Sequence, residues 1–118
     1  MSHSEFWNIL DRSEEIELTV KGRKSGKNIS RPVWFVHEDK IVYLLPVNGS
    51  YTEWYKNVLQ DASMKISVNK KEFFGSGNPI TDENKIREVA DRFRSKYSAE
   101  NIARYYSKLD AVVEFSLK

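Results

Sequence analysis

Residues 16–36 read IELTVKGRKSGKNISRPVWFV, and this stretch decides the fold class. Ile16, Leu18 and Val20 alternate with polar residues, and this period of two predicts a half-buried strand. The polar segment that follows predicts a turn whose glycines take up positive φ angles. The chain then resumes as a strand rich in β-branched and aromatic residues, in which Pro32 predicts an edge position or a bulge. Two strands joined by a tight turn predict an antiparallel hairpin.

The other segments alternate between strand and helix patterns. A short helix with Ser4 as its N-cap is predicted over residues 4–12. Further strands are predicted at residues 41–47, 63–70, 71–80 and 111–117. The strand at 71–80 is expected to break or bend at the glycines of residues 75–77. Helices are predicted at residues 53–61, from Thr81 or Asp82 onward, and from about Ser98.

About six strands with short links predict a small antiparallel barrel, a mainly β fold with helices. The two C-terminal helices are expected to cover an open side or end of it. A barrel this small fills its interior with side chains, so a ligand would bind outside it, in a groove or between subunits. The sequence has no repeat, low-complexity tract or linker, and residues 1–118 are therefore expected to form one domain.

The composition is typical of a soluble globular protein, with 40% hydrophobic and 31% charged residues. No apolar run approaches the ~18–20 residues of a membrane span. The N-terminal segment lacks the pattern of a signal peptide, so the cytoplasm is the expected location. Cysteine is absent, which excludes disulfides, thiolate metal sites and a cysteine nucleophile.

Positive charge is concentrated in one short segment. The net charge is +2, and without Lys21, Arg23, Lys24 and Lys27 there remain 15 basic and 17 acidic residues. This distribution favours a local anion site over a protein that coats nucleic acid, because the latter requires a broad basic patch.

Residues 22–27, here called the basic turn, are the first candidate for such a site. Arg23 offers a planar fork of donors, Lys24 a point charge and Ser25 a hydroxyl, and Gly26 allows backbone N–H groups to approach an anion. The alternative is an ordinary solvated hairpin turn. The segment is not a P-loop, because only three residues separate its glycines and Asn28 follows the lysine.

The second candidate is the glycine loop, residues 48–50, which leads toward a predicted helix. Asn48, Gly49 and Ser50 are polar and flexible, and the free N–H groups of a helix N-terminus attract anions. The alternative for this region is that Trp54 and the helix around it simply belong to the core.

The sequence supplies no catalytic constellation of its own. His3 and His37 have no clustered carboxylate partner, and no metal site or nucleophile motif is present. Tyr105 and Tyr106 are interpreted as helix packing. If the protein is an enzyme, a bound cofactor must therefore carry the chemistry.

Two motifs resemble the deazaflavin-dependent nitroreductase family. The first is Gly-Arg-Lys-Ser-Gly between two strands, here Gly22–Gly26. The second is Trp-Tyr-x-Asn-Leu at the start of a helix, here Trp54-Tyr55-Lys56-Asn57-Val58. The resemblance spans roughly residues 16–70, with a plausible closing strand at 111–117.

This resemblance implies a six-stranded split β-barrel, usually a homodimer, that binds coenzyme F420 (a deazaflavin) or, in related proteins, FMN. It implies hydride transfer from the reduced cofactor to a small electron-poor acceptor such as a quinone or nitro compound. By resemblance, the cofactor-binding residues would be Arg23, Lys24, Ser25 and Gly26 at the phosphate or acidic tail, and Asn48, Gly49, Ser50, Trp54 and Asn57 on the other side.

The sequence also departs from the family pattern. Asn48-Gly49-Ser50 replaces the usual Lys-Gly-Gly, which removes one cation, and Glu53 adds a negative charge. A weaker grip on a long acidic tail favours FMN, or no tightly held cofactor. The competing hypothesis is a non-catalytic binding module, for a cofactor or for single-stranded nucleic acid stacked on Trp7, Trp34, Tyr51 and Tyr55. Nucleic acid is disfavoured because the positive charge is confined to one turn.

Overall fold

The computed structural model describes residues 3–118. The helices are α1 (His3–Asp11), α2 (Glu53–Gln60), α3 (Glu83–Tyr97) and α4 (Ala99–Tyr105), with a short 3-10 helix at Gly49–Tyr51. The strands are β1 (Ile16–Lys21), β2 (Asn28–Val33), β3 (Val36–Glu38), β4 (Ile41–Leu44), β5 (Ser63–Val68), β6 (Lys71–Ile80) and β7 (Val112–Leu117).

The strands form one curled antiparallel sheet in the order β2-β1-β5-β6-β7-β4-β3, a split barrel. The predicted hairpin is β1 with β2, in which Ile16 pairs with Val33 and Lys21 with Asn28. Pro32 lies in β2 at the edge of the sheet, as predicted. An edge strand tolerates proline because one side of its backbone needs no ladder partner.

The strand count predicted from the sequence was wrong, since residues 3–118 form seven strands and not six. The segment after the basic turn divides into β2 and β3 at Trp34 and Phe35. The hydroxyl of Tyr97 explains the division, because it accepts the Phe35 N–H at 3.0 Å. The same hydroxyl lies 2.8 Å from the carbonyl oxygen of Glu14. A side chain of α3 thus replaces the strand pairing that Phe35 would otherwise make.

Two apolar clusters occupy opposite faces of the sheet. Val42 and Leu44 belong to the cluster under α1 and α2, whereas Tyr43 belongs to the cluster under α3 and α4. Successive residues of a strand point to opposite faces, so β4 supplies both clusters. The C-terminal helix pair therefore covers the outer face of the sheet.

Several local expectations are corrected by tertiary contacts. Ser4 lies within α1 and does not precede it. Strand β6 continues through residues 75–77, since it pairs with β5 up to Ser76 and with β7 from Gly75 onward. In α2, Trp54 and Val58 are buried, but Leu59 is 54% exposed. The predicted cap of α3 is confirmed, since the Asp82 carboxylate accepts the Lys85 N–H at 2.9 Å.

Across residues 3–118, no helix has both the length and the apolar character that crossing a membrane requires.

Candidate functional site

The basic turn packs against the start of α2, and Arg23 makes the contact. Its Nη1 lies 2.8 Å from Asn57 Oδ1, and its backbone N–H donates to the same oxygen at 3.1 Å. Its Nη2 donates to Glu53 Oε1 at 2.9 Å. Gly26 closes the turn with a φ of 71°, whereas Gly22, contrary to expectation, does not adopt a positive φ. Arg23 therefore joins the turn to the helix and is only 20% exposed.

Glu53 is the carboxylate of this contact. The hydrogen bond from Arg23, followed by the charge of Arg23, lowers the pKa of Glu53, and Lys56 and Lys24 act in the same direction. Glu53 also lies in the first turn of α2, where the helix dipole favours negative charge. An anion belonging to the chain thus occupies the place where the sequence predicted an external one.

The glycine loop also binds a carboxylate of the chain, that of Asp110. Ser50 donates its backbone N–H to Asp110 Oδ1 and its hydroxyl to Asp110 Oδ2, each at 2.7 Å. Partial burial pushes the pKa of Asp110 upward, but the Ser50 hydrogen bonds and the charge of Lys108 outweigh it, so this pKa is lowered. Gly49 has a φ of 53°, and a Cβ there would collide with the Asp110 carboxylate. Asn48 accepts the Ser107 hydroxyl at 2.8 Å.

A cavity of about 700 Å³ lies between the basic turn, β2, α2 and the end of α4. It falls within the ~300–1,000 Å³ range of small-molecule sites. Its lining residues are Glu15, Gly22, Arg23, Lys24, Ser25, Ile29, Arg31, Pro32, Val33, Trp34, Leu45, Val47, Thr52, Glu53, Trp54, Asn57, Tyr105 and Tyr106.

The structure brings together five of the nine site residues predicted from the sequence. These five line the cavity: Arg23, Lys24, Ser25, Trp54 and Asn57. The other four do not line it: Gly26, Asn48, Gly49 and Ser50. The glycine loop instead faces the segment at residues 107–110, as its hydrogen bonds show.

Three buried residues of the cavity lining carry side-chain hydrogen-bond donors. Trp54, Asn57 and Tyr106 are 7%, 3% and 8% exposed, and each lines the cavity. Asn57 Oδ1 accepts two hydrogen bonds from Arg23, one from the backbone N–H and one from Nη1. The NH₂ group of Asn57 therefore remains as a donor. Within the described chain, this NH₂ group, the Trp54 indole N–H and the Tyr106 hydroxyl have no hydrogen-bond partner, and none is sealed from solvent. They suit a ligand that offers acceptors.

Two cations at the cavity form no ion pair with a carboxylate within 4.0 Å among residues 3–118. Lys24 is exposed, and the Arg31 guanidinium reaches a protein acceptor only at the neighbouring Ser30 carbonyl, at 3.4 Å. In the basic turn, the backbone N–H groups of Lys24 and Ser25 also lack a partner among these residues. These groups can meet an anionic part of a ligand.

The aromatic wall of the cavity was missed by sequence reasoning. Trp34 stacks on Tyr97 with ring centroids 4.4 Å apart, and Tyr105 lies edge-on to Trp34 at 5.6 Å. Burial, followed by the nearby Tyr97, raises the pKa of Tyr106, so Tyr106 remains a neutral donor. Tyr106 follows α4 directly and had been interpreted as helix packing alone.

The remaining predicted features lie elsewhere. His37 lies away from the cavity lining, and its Nε2 is 2.7 Å from Asp11 Oδ1. The side chain of His3 falls outside the described part of the structure. Tyr55 is 4% exposed, so it cannot act as a stacking platform for nucleic acid.

Solved structures that resemble the chain share its fold at low identity. An F420-H2 dependent reductase (FDR-A) is 18% identical, with a TM-score of 0.67, over 87% of this chain and 94% of that one. A candidate pyridoxamine 5'-phosphate oxidase from Listeria innocua is 12% identical, with a TM-score of 0.74, over 98% and 93%. A FAD-binding protein from Mesorhizobium loti is 12% identical, with a TM-score of 0.74, over 100% and 89%.

These likenesses confirm the predicted split barrel, and with it the resemblance to deazaflavin-dependent proteins at the level of fold. No functionally curated protein matches the sequence significantly. A family model described as an uncharacterized protein conserved in bacteria (DUF2255) matches residues 8–113. The chain, a split barrel with a cavity beside its basic turn, therefore belongs to the DUF2255 family.

Proposed function

We propose that this protein is an oxidoreductase that binds a flavin or deazaflavin cofactor and transfers a hydride from it to a small electron-poor acceptor. The observation that carries the proposal is the cavity, which combines an aromatic wall, buried donors and two unpaired cations. The acceptor is expected to be a quinone or a nitro compound.

The ring of such a cofactor fits this donor set. A flavin-type ring is planar and tricyclic, and its carbonyl oxygens and its ring nitrogens with a free lone pair are acceptors. The Trp34 side supplies a flat apolar surface, and Trp54, Asn57 and Tyr106 supply the matching donors. A mixture of apolar walls and a few directed polar groups is typical of cofactor sites.

The acidic tail of such a cofactor fits less well. Glu53 and Asp110 already occupy Arg23 and Ser50. Lys24 and Arg31 remain for an anionic group, together with the free N–H groups of the basic turn. This supports FMN or a smaller flavin over a cofactor with a long polyanionic tail.

In the proposed reaction the bound cofactor would supply the hydride. The chain itself would orient the cofactor ring and exclude water. Trp54, Asn57 and Tyr106 would fix the ring through its acceptors, and the apolar walls would keep solvent from the reacting face. We assign no catalytic residue, because no acid–base pair lies among the described lining residues.

We also propose a homodimer. Its support is the family resemblance and the position of β2, an edge strand that forms part of the cavity wall with Arg31 and Val33. A second subunit against this edge would narrow the opening of the cavity. Light scattering after size-exclusion chromatography tests this, and a monomer at all concentrations would contradict it.

The test of the proposed activity is the oxidation of reduced FMN and of reduced coenzyme F420 under anaerobic conditions, with menadione or a nitroimidazole as acceptor. We expect the protein to accelerate loss of the reduced cofactor for at least one pair above the protein-free rate. If the cofactor binds but no acceptor is reduced faster than without protein, the non-catalytic binding module replaces the oxidoreductase.

A further inference from the structure

Both loops that the sequence marked as anion sites hold carboxylates of the chain itself. Glu53 is hydrogen-bonded to Arg23 in the basic turn, and Asp110 is hydrogen-bonded to Ser50 in the glycine loop. Glu53 follows Arg23 by 30 residues and Asp110 follows Ser50 by 60, so each contact depends on the fold.

The contact at Arg23 leaves its guanidinium little capacity for a ligand phosphate. Nη1 is directed at Asn57 Oδ1 at 2.8 Å, and Nη2 is directed at Glu53 Oε1 at 2.9 Å. Arginine binds a phosphate most strongly with two parallel N–H groups, and the chain already engages both terminal nitrogens, since Nη1 also lies 3.4 Å from the Glu53 carbonyl oxygen. Nε and the second hydrogen of Nη2 remain, so a phosphate that approached the two terminal nitrogens of Arg23 would have to displace the Glu53 carboxylate.

Glu53 is placed to compete with such a phosphate. Its second oxygen lies 3.6 Å from Lys56 Nζ, so it neutralises two cations at the start of α2. Glu53 also lines the cavity. A ligand anion at this position would meet negative charge at close range, which disfavours binding.

We propose that Glu53 is a specificity-determining residue: it withholds Arg23 from the ligand, so that the cavity recognises a flavin-type ring and gives little preference to a phosphorylated tail. The ligand class is a tricyclic, acceptor-rich ring in which a terminal phosphate contributes little to affinity. This inference rests on the proposed cofactor site.

The test compares riboflavin with FMN, which differ by one phosphate. Dissociation constants are measured by quenching of flavin fluorescence for the wild type, Glu53→Gln and Glu100→Gln. Glu100 is the matched control, since it is an exposed first-turn glutamate of α4 with one ion pair, to Arg104 at 3.2 Å.

We expect the wild type to bind the two ligands within about threefold of each other. Glu53→Gln should bind FMN about three- to tenfold more tightly and leave the affinity for riboflavin unchanged, because a neutral glutamine competes less with the phosphate for Arg23. Glu100→Gln should change neither value. A wild type that prefers FMN by about tenfold or more, or an unchanged ratio in Glu53→Gln, overturns the inference.

A second measurement needs no flavin. Inorganic pyrophosphate should raise the melting temperature of Glu53→Gln but not of the wild type, and Glu53→Ala provides the same test if the glutamine variant folds poorly. If the wild type binds neither flavin, the proposed function fails, and the pyrophosphate result alone decides whether Glu53 withholds Arg23. No gain in either variant overturns that role.

Discussion

At the scale of single residues, Tyr97 fixes the point where the second strand of the expected hairpin divides. Its hydroxyl accepts the Phe35 N–H at 3.0 Å and lies 2.8 Å from the Glu14 carbonyl oxygen. Burial raises the pKa of Tyr97 to about 12, although the backbone hydrogen bond of Phe35 acts in the opposite direction. The folded protein therefore disfavours the phenolate form.

We expect Tyr97→Phe to lower the free energy of unfolding by about 1–3 kcal/mol, because the buried Phe35 N–H would lose its acceptor. The measurement is urea unfolding at neutral pH. Tyr51→Phe is the control, since Tyr51 is 62% exposed. Loss of its hydroxyl should lower the free energy of unfolding by less than about 0.5 kcal/mol. Equal costs in the two variants would show that the hydroxyl of Tyr97 is not holding this junction.

The same residue makes stability depend on pH. The pKa of Tyr97 rises from 10.0 to about 12 on folding. Tyr97 therefore contributes fully to the free energy of unfolding below pH 10.0, and this contribution is lost as the pH rises toward about 12. Between about pH 8 and about pH 11, the wild type should lose more stability than Tyr97→Phe in the same urea assay. A steeper loss in the variant would reverse this assignment.

At the scale of elements, alternation and capping patterns were sufficient to place most helices and strands. They failed where a tertiary contact decided the outcome. The glycines of residues 75–77 indicated a break or bend, but β6 keeps a continuous register with β7 through them. Neighbouring atoms leave no room for side chains at the two glycines. A Cβ on Gly75 would collide with the Ser116 carbonyl oxygen and lie 2.7 Å from the Phe115 ring.

Gly75→Ala should therefore destabilise the protein by about 1–3 kcal/mol, since the backbone of β7 must move to admit the methyl group. Chemical denaturation followed by circular dichroism measures this. Ser76→Ala, at an exposed position of the same strand, should change stability by less than about 0.5 kcal/mol. If Gly75→Ala is as stable as Ser76→Ala, close packing does not explain the glycine.

At the scale of the whole molecule, the fold followed from local patterns but the site followed only in part. By resemblance, the basic turn and the start of α2 were expected to hold two sides of one cofactor, and in the structure Arg23 and Asn57 join them directly. No local pattern indicates that Asp110 closes the glycine loop, because its partner Ser50 is 60 residues away. The involvement of Arg31 could have been predicted, since the period of two places it on the same face of β2 as Ile29 and Val33.

The cavity is thus a property of the assembled sheet. It draws on β2, α2 and the end of α4, and the two cations that remain for a ligand, Lys24 and Arg31, come from the turn and from the edge strand. Lys27 belongs to the same turn but does not line the cavity. A comparison of Lys24→Ala with Lys27→Ala therefore distinguishes a specific contact in the cavity from a general effect of positive charge.

The most direct test of the central claim is a fluorescence titration of the purified protein with FMN. We predict saturable binding to one site per chain, weakened about two- to threefold by Lys24→Ala and unaffected by Lys27→Ala. Absence of saturable binding, or an equal loss in both lysine variants, would contradict the claim that this cavity is a flavin-type cofactor site.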